Sequence, residues 1–357
     1  MIKFSAVVGN PPYQLSKSTE RTTINRAFAS AIYPFFIDLA IQLDPLYISL
    51  ITPSRWMTKI GQGINDEWVN KMIHSNHYKI IHDFIDANDC FGKVEIKGGV
   101  NYFIYSKDYV GKCKYILHKN SSTHYRFEHL DSLNAGVIIR DEMAPSILSK
   151  LVEVENLYYN NNSFSGLVSP KHFFDKDELL SSNWKGYVKN SDKEHYIKLY
   201  VNKDLDKCGY GWISKDQVPR NTNSITLNKV FIPKAGGSGN DAIVLGTPFY
   251  GEPNSVCSYT YLVIGYDANK HNFSEIECKN IVKYIKTRLF RYLVSIKKKT
   301  QDNARDVFQF VPLQDFTSTS DIDWSQPVAD IDRQLYKKYG LTNEETAFIE
   351  KMIKPME

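Results

Sequence analysis

The chain has 357 residues, enough for two domains with a small appendage. Its 42% hydrophobic and 24% charged residues exclude a disordered chain, and a net charge of only +4 excludes bulk basicity, so any affinity for nucleic acid must come from local patches. Five scattered cysteines (Cys90, Cys113, Cys208, Cys257, Cys278), never in a C-x-x-C pair, argue against a zinc site or a disulfide framework and fit a reducing cytosol.

No charged n-region with an apolar segment opens the chain, and no apolar run reaches the roughly 20 residues that span a bilayer. The expectation is a cytoplasmic protein without a membrane partner.

Residues 4–9, FSAVVG, are a short apolar run of the buried-strand type, closed by Gly9 and two prolines. Residues 16–26 are polar and loop-like. From Tyr33 the pattern turns helical: Ile32, Phe35, Phe36, Leu39, Ala40 and Leu43 recur at spacings of three and four. Pro34 suits a first turn that needs no amide donor. Asp44-Pro45 ends this helix, and residues 46–53 read as a second strand. Residues 65–75 read as a helix with Asn65 as its N-cap. Residues 78–86, 99–107 and 113–119 read as three more strands. Strands alternating with helices predict crossovers and a mostly parallel sheet over residues 1–125.

Beyond that the texture changes. Residues 158–170 and 200–225 are polar, aromatic and rich in Gly or Asn, with short strands at most. Residues 277–298 predict one amphipathic helix with an apolar stripe through Ile281, Val282, Ile285, Leu289, Tyr292, Leu293 and Ile296. Residues 315–327 read as a linker. The tail predicts two short helices, the first ended by Gly340 and the second opened by a Thr342/Glu345 capping box. The expected division is 1–125, 126–317 and 318–357.

The chemistry lies in Asn10-Pro11-Pro12-Tyr13, set directly after the first strand. This motif resembles the [D/N/S]-P-P-[Y/F/W] signature of S-adenosylmethionine-dependent N6-adenine DNA methyltransferases of restriction–modification systems, of the type IIG-like kind. The resemblance implies a partial Rossmann-like α/β sheet followed by a mixed α+β target-recognition domain. An exocyclic adenine amine is a poor nucleophile, because its lone pair is delocalised into the ring. The Asn10 side-chain oxygen and the Pro11 carbonyl can both accept from that amine and stabilise the charge developing on it. The prolines fix φ and so preorganise the acceptors. The Tyr13 ring offers a stacking surface for a flipped base. Two proline-flanked polar residues also make a plain turn, but the strand in front of them favours the catalytic reading.

The resemblance continues through residues 35–57, whose helix start it puts near the cofactor, with Phe36 and Asp38 as cofactor-proximal residues. Within residues 83–107 it assigns Phe91 to the other face of the flipped adenine; an ordinary core aromatic is the competing reading. The family order also requires a strand with a D-x-x-x-G-x-G turn, and an acidic residue after the next strand, ahead of the motif. Only nine residues precede Asn10. The glycines of residues 231–249 are a weak substitute, better read as a DNA-facing loop with Lys234 at phosphate. Three expectations follow: a partner chain supplies the cofactor half, with or without a helicase or nuclease, or other elements of this chain cover the sheet edge, or the chain is a truncated remnant. Without those strands the first strand becomes an exposed apolar sheet edge.

For double-stranded DNA, Lys283, Lys286, Arg288, Arg291, Lys297, Lys298 and Arg305 form a basic cluster that can neutralise phosphates, unless it is merely a solvated helix face. Together with Lys234 it suggests a target-recognition domain. Two further readings compete with the methyltransferase. One is a non-catalytic DNA-recognition subunit or inactive remnant. The other is Mg²⁺-dependent cleavage by Asp86, Asp89, Glu95 and Lys97, which fit a loose D…E-x-K pattern common by chance. No metal site is expected.

Overall fold

The computed structural model describes residues 4–15, 30–59, 63–119, 121–156, 162–177, 179–181, 184–201, 209–237, 242–298 and 301–356. The chain forms two compact units, Met1–Pro145 and Ser146–Glu357. The division falls later than the expected boundary at 125, and the tail belongs to the second unit instead of standing as a third. Among the described residues, no helix is long and apolar enough to cross a membrane.

In the first unit the elements run β1 (Ala6–Gly9), β2 (Gln14–Leu15), β3 (Ser30–Ala31), α1 (Tyr33–Gln42), β4 (Tyr47–Pro53), α2 (Asp66–His74), β5 (Tyr78–Phe84), α3 (Asn88–Phe91), β6 (Val100–Ser106), β7 (Cys113–Lys119) and β8 (Ser122–Glu128). Six strands make one sheet in the order β1-β4-β6-β5-β7-β8. β1 and β4 pair in parallel, as do β5 and β7, whereas β6 runs antiparallel between β4 and β5. The sheet is therefore mixed, not mostly parallel. The reason is local: β6 follows β5 through a connection at one end of the sheet that holds only the single-turn α3, too short to carry a crossover, and returns beside it.

The helices form where their caps and stripes predict. Pro34 sits in the first turn of α1, and the Asn65 side chain accepts from the Glu67 and Trp68 amides at the start of α2. Ile37 and Ala40 of α1 and Val69, Met72 and Ile73 of α2 share a core with Ile48, Leu50, Ile81, Phe103 and Tyr115 of the sheet. Each large apolar side chain buried there contributes about 1.5–3 kcal/mol. The apolar stripe read for α1 is only partly used, because the helix is apolar on two faces and buries one. Phe35, Phe36, Leu39 and Leu43 remain 68, 37, 51 and 44% exposed.

The second unit opens within α4 (Ala144–Glu155) and continues with β9 (Ile197–Tyr200), β10 (Tyr210–Ile213), β11 (Lys229–Pro233), β12 (Phe249–Gly251), β13 (Ser255–Cys257) and β14 (Tyr261–Ile264). These strands make two three-stranded sheets, β10-β9-β13 and β12-β11-β14. Four helices follow: α5 (Glu275–Lys286), α6 (Arg288–Lys297), α7 (Val328–Lys338) and α8 (Asn343–Met352).

The single helix expected over 277–298 is two. Thr287 leaves helical geometry, at φ −61 and ψ 151, and its hydroxyl accepts from the Phe290 amide as the N-cap of α6. Buried Asp332 of α7 accepts from the Arg288 and Leu289 amides at the same helix start. The segment read as a linker is irregular but packed: Phe316, Ile322 and Trp324 are buried. The Thr342/Glu345 capping box forms as expected.

Candidate active site

β1 and β4 end side by side, and so does β5, which is parallel to both through the intervening β6. Residues 10–13, the turn after β4 and the loop 85–99 therefore gather at one edge, the carboxyl ends of these strands. This is where open α/β sheets bind ligands.

Two hollows meet at the motif. A groove of about 210 Å³ is lined by Val7, Gly9, Asn10, Pro11, Phe36, Leu39, Leu43 and Leu50, on the outer side of β1 and α1. A cleft of about 300 Å³ is lined by Tyr13, Gln14, Tyr33, Pro53, Arg55, Glu95, Ile96 and Lys97. The motif thus separates the two, with Asn10 and Pro11 on the groove and Tyr13 on the cleft.

The cleft has two unusual phenols. The hydroxyls of Tyr13 and Tyr33 are buried, with the Asn10 side chain beside the first and the Trp56 backbone beside the second. Burial raises both phenol pKa values; at Tyr13 the nearby Cys90 thiol adds to the rise, and the Asn10 side chain opposes it. Both are neutral donors at physiological pH.

Phe36 lies on the groove beside Asn10. Asp38 does not: its two oxygens accept from the Trp68 indole at 3.1 and 3.0 Å, which turns it towards α2. Phe91 ends α3 at 38% exposure, next in sequence to the Cys90 that neighbours Tyr13. Asp86 caps its own turn, accepting from the Asn88 amide and side chain at 2.9 Å each. Glu95 and Lys97 stand on the cleft wall. Among the described residues no three His, Cys, Asp or Glu side chains group as a metal cradle.

The basic residues of the second unit turn largely inward. Arg291 is fully buried and donates to the carbonyls of Thr287, Ile243 and Lys286. Lys298, also fully buried, donates to Val244 O at 2.8 Å and Asn303 Oδ1 at 2.6 Å. Lys283 donates to the carbonyls of Trp324, Ser325 and Gln326. Arg305 donates to Ser165 O, Lys297 to the Gln309 side chain, and Arg288 pairs with Glu350 at 3.3 Å. Lys286 is half-buried. Lys234 lies over the Tyr259 ring, 5.0 Å from its centre. Asn240 of the glycine-rich loop and Lys299 lie outside the described residues.

The sequence marks Glu95 and Lys97 only as a loose cleavage pattern, and nothing in it marks Tyr33 or Arg55 as part of a site. The Gly98-Gly99 pair was the available signal, since both glycines take positive φ, +91 and +77. A Cβ on Gly99 would stand 2.0 Å from Phe84 O.

Comparison with known proteins gives the class of this end of the chain. Residues 1–91 match the Eco57I restriction-modification methylase family. A segment of 112 residues is 39% identical to an "uncharacterized adenine-specific methylase" of Mycoplasma pneumoniae (strain ATCC 29342 / M129 / Subtype 1), covering 31% of this chain and 26% of the relative. The chain thus spans about a quarter of that relative's length. Two solved structures align over nearly the whole chain. One is the type IIG restriction endonuclease BpuSI, with 13% identity, 98% of this chain, 53% of that chain and a TM-score of 0.38. The other is the type IIL restriction-modification enzyme MmeI in complex with DNA, with 10% identity, 97% of this chain, 56% of that chain and a TM-score of 0.45.

Proposed function

We propose that this chain is the catalytic and target-recognition part of an adenine-N6 DNA methyltransferase of a restriction–modification system. The observation that carries the reading is the position of Asn10-Pro11-Pro12-Tyr13 between an apolar groove and a cleft lined by the Tyr13 and Tyr33 rings. Methyl transfer is an in-line displacement, so the acceptor nitrogen and the donor methyl must meet directly, and the motif stands where the two hollows adjoin. The matches to a restriction-modification methylase family and to an adenine-specific methylase support the same chemistry.

The acceptor is an adenine flipped out of duplex DNA, with its ring against Tyr13 and the Phe91 side. Its amine donates to the Asn10 side-chain oxygen and the Pro11 carbonyl, which stabilise the positive charge that grows on nitrogen during transfer. The prolines hold both acceptors without a loss of side-chain entropy on binding.

The donor, S-adenosylmethionine, fits the groove only in part. Phe36, Leu39, Leu43 and Leu50 offer an apolar wall, but no charged side chain lines the groove to hold a ribose or an amino-acid end. Among the described residues β1 is also an edge strand of the sheet, with Val8 76% exposed. This favours a second methyltransferase half that pairs along β1 and brings the polar half of the cofactor site. Phe36 is the cofactor-proximal residue of this chain. Lys234 and Lys286, with the outward parts of the basic region, contact DNA phosphate. The rest of the cluster serves recognition indirectly, by fixing the loops of the second unit.

The test is N6-methyladenine in the DNA of cells that make this chain together with its neighbouring reading frames. Deleting the chain removes the mark at one sequence, and restoring it brings the mark back. Unchanged methylation after deletion contradicts the reading and favours a non-catalytic DNA-recognition subunit.

A further inference from the structure

One wall of the cleft is held by two arginines. The loop 95–99 contributes Glu95, Ile96 and Lys97 to the cleft opposite Tyr13. Arg55 Nε donates to Lys97 O at 2.7 Å, and Arg140 Nη1 donates to Gly98 O at 2.7 Å. The Ser54 amide adds a bond to Gly99 O at 3.0 Å. Three consecutive carbonyls of one short loop are thus fixed from two different elements.

Arg140 is itself immobilised. Its Nε and Nη2 reach the two oxygens of Asp83 at 2.6 and 2.8 Å, and both side chains are almost fully buried. Asp83 also accepts from Ser54 Oγ at 2.6 Å and Tyr115 OH at 2.5 Å. A buried, fork-to-fork pair with every carboxylate oxygen doubly bonded gives orientation more than net stability. Its remaining N–H arm points at the loop. The loop backbone is shaped for this: both glycines take positive φ, and Gly98 lies so close to Arg55 that a Cβ would stand 2.9 Å from Arg55 Cγ.

We propose that Arg55 and Arg140 are positioning residues, which hold the 95–99 wall at the distance from Tyr13 that admits a single adenine-type base. This rests on the methyl-acceptor reading of the cleft given above. The base stacks on Tyr13, between that ring and the 95–99 wall. Loosening either arginine lets the wall drift, and an error of about 1 Å in such a site costs up to about 100-fold in rate.

The probe is 2-aminopurine deoxynucleoside 5′-monophosphate, whose fluorescence is quenched by stacking, titrated into the whole chain. Wild type quenches it saturably, and Tyr13→Ala abolishes quenching. Arg55→Ala weakens binding at least tenfold, and Arg55→Lys recovers most of it. Arg140→Lys, which keeps a charge for Asp83 but loses the fork, weakens binding at least threefold. Hydrogen exchange of the peptide holding residues 92–99 rises in each weakened variant, while the β5 and β7 peptides stay protected. Quenching and exchange unchanged in both arginine variants overturn the positioning role. A wild-type chain that does not quench the probe overturns the base assignment. Probe binding as expected, with no DNA methylation in cells, would sink the methyltransferase reading alone.

Discussion

The Trp68 indole N–H is shared between the two carboxylate oxygens of Asp38, at 3.1 and 3.0 Å, which ties α2 to α1 across the helical face of the sheet. This is a half-buried, charge-assisted contact. Asp38→Ala is expected to lower stability by about 1–2 kcal/mol, read as a fall of a few degrees in Tm. Donor affinity of the active complex should stay within twofold. A Tm at the wild-type value together with lost donor binding would return Asp38 to the cofactor site.

A carboxylate under a helix start gives the second unit a pH signature. Burial pushes the Asp332 pKa up to about 6, against the opposing pull of the Arg288 and Leu289 amides and of Arg288 and Arg291. A carboxyl whose folded pKa lies above its unfolded value of about 3.8 stabilises most when protonated. That contribution is present below pH 3.8 and is lost as pH rises to about 6. Urea unfolding of wild type and Asp332→Asn is expected to show the variant gaining relative to wild type between those values. A stability difference flat across the window would contradict the assignment.

The edge of the first unit carries Val8, Phe35 and Leu39 at 76, 68 and 51% exposure. An apolar patch beside an unpaired strand is a site of association. Leu39→Asp is expected to leave the unfolding midpoint within about 0.5 kcal/mol. It should also lower self-association in sedimentation. A midpoint shift of several kcal/mol would mean that Leu39 is core, and unchanged association would mean that the edge is inert.

Much of the fold is legible in the sequence where its signals are local. Pro34 at a helix start, Asn65 at an N-cap, the apolar runs of β4 to β7 and the Thr342/Glu345 box each act within a few residues. What escapes is set by partners far along the chain. Arg140 finds Asp83 across 57 positions, and Asp332 caps a helix 43 and 44 positions away. The break at Thr287 is invisible because Arg-Leu-Phe-Arg continues the apolar stripe without a pause. The basic cluster reads as a phosphate surface because charge is local, whereas the carbonyls that take up Lys283, Arg291 and Lys298 come from other loops. At the site itself, the motif residues were legible from their chemistry. The phenol of Tyr33 and the arginines behind Gly98-Gly99 become visible only when the strand ends are brought together.

The most direct measurement is methyl transfer by Asn10→Ala, scored as N6-methyladenine in DNA alongside binding of the whole chain to duplex DNA. Removing one of the two acceptors for the adenine amine is expected to cut transfer by at least about 100-fold while leaving duplex affinity unchanged. Transfer retained at the wild-type rate would contradict the assignment of Asn10-Pro11-Pro12-Tyr13 as the catalytic motif.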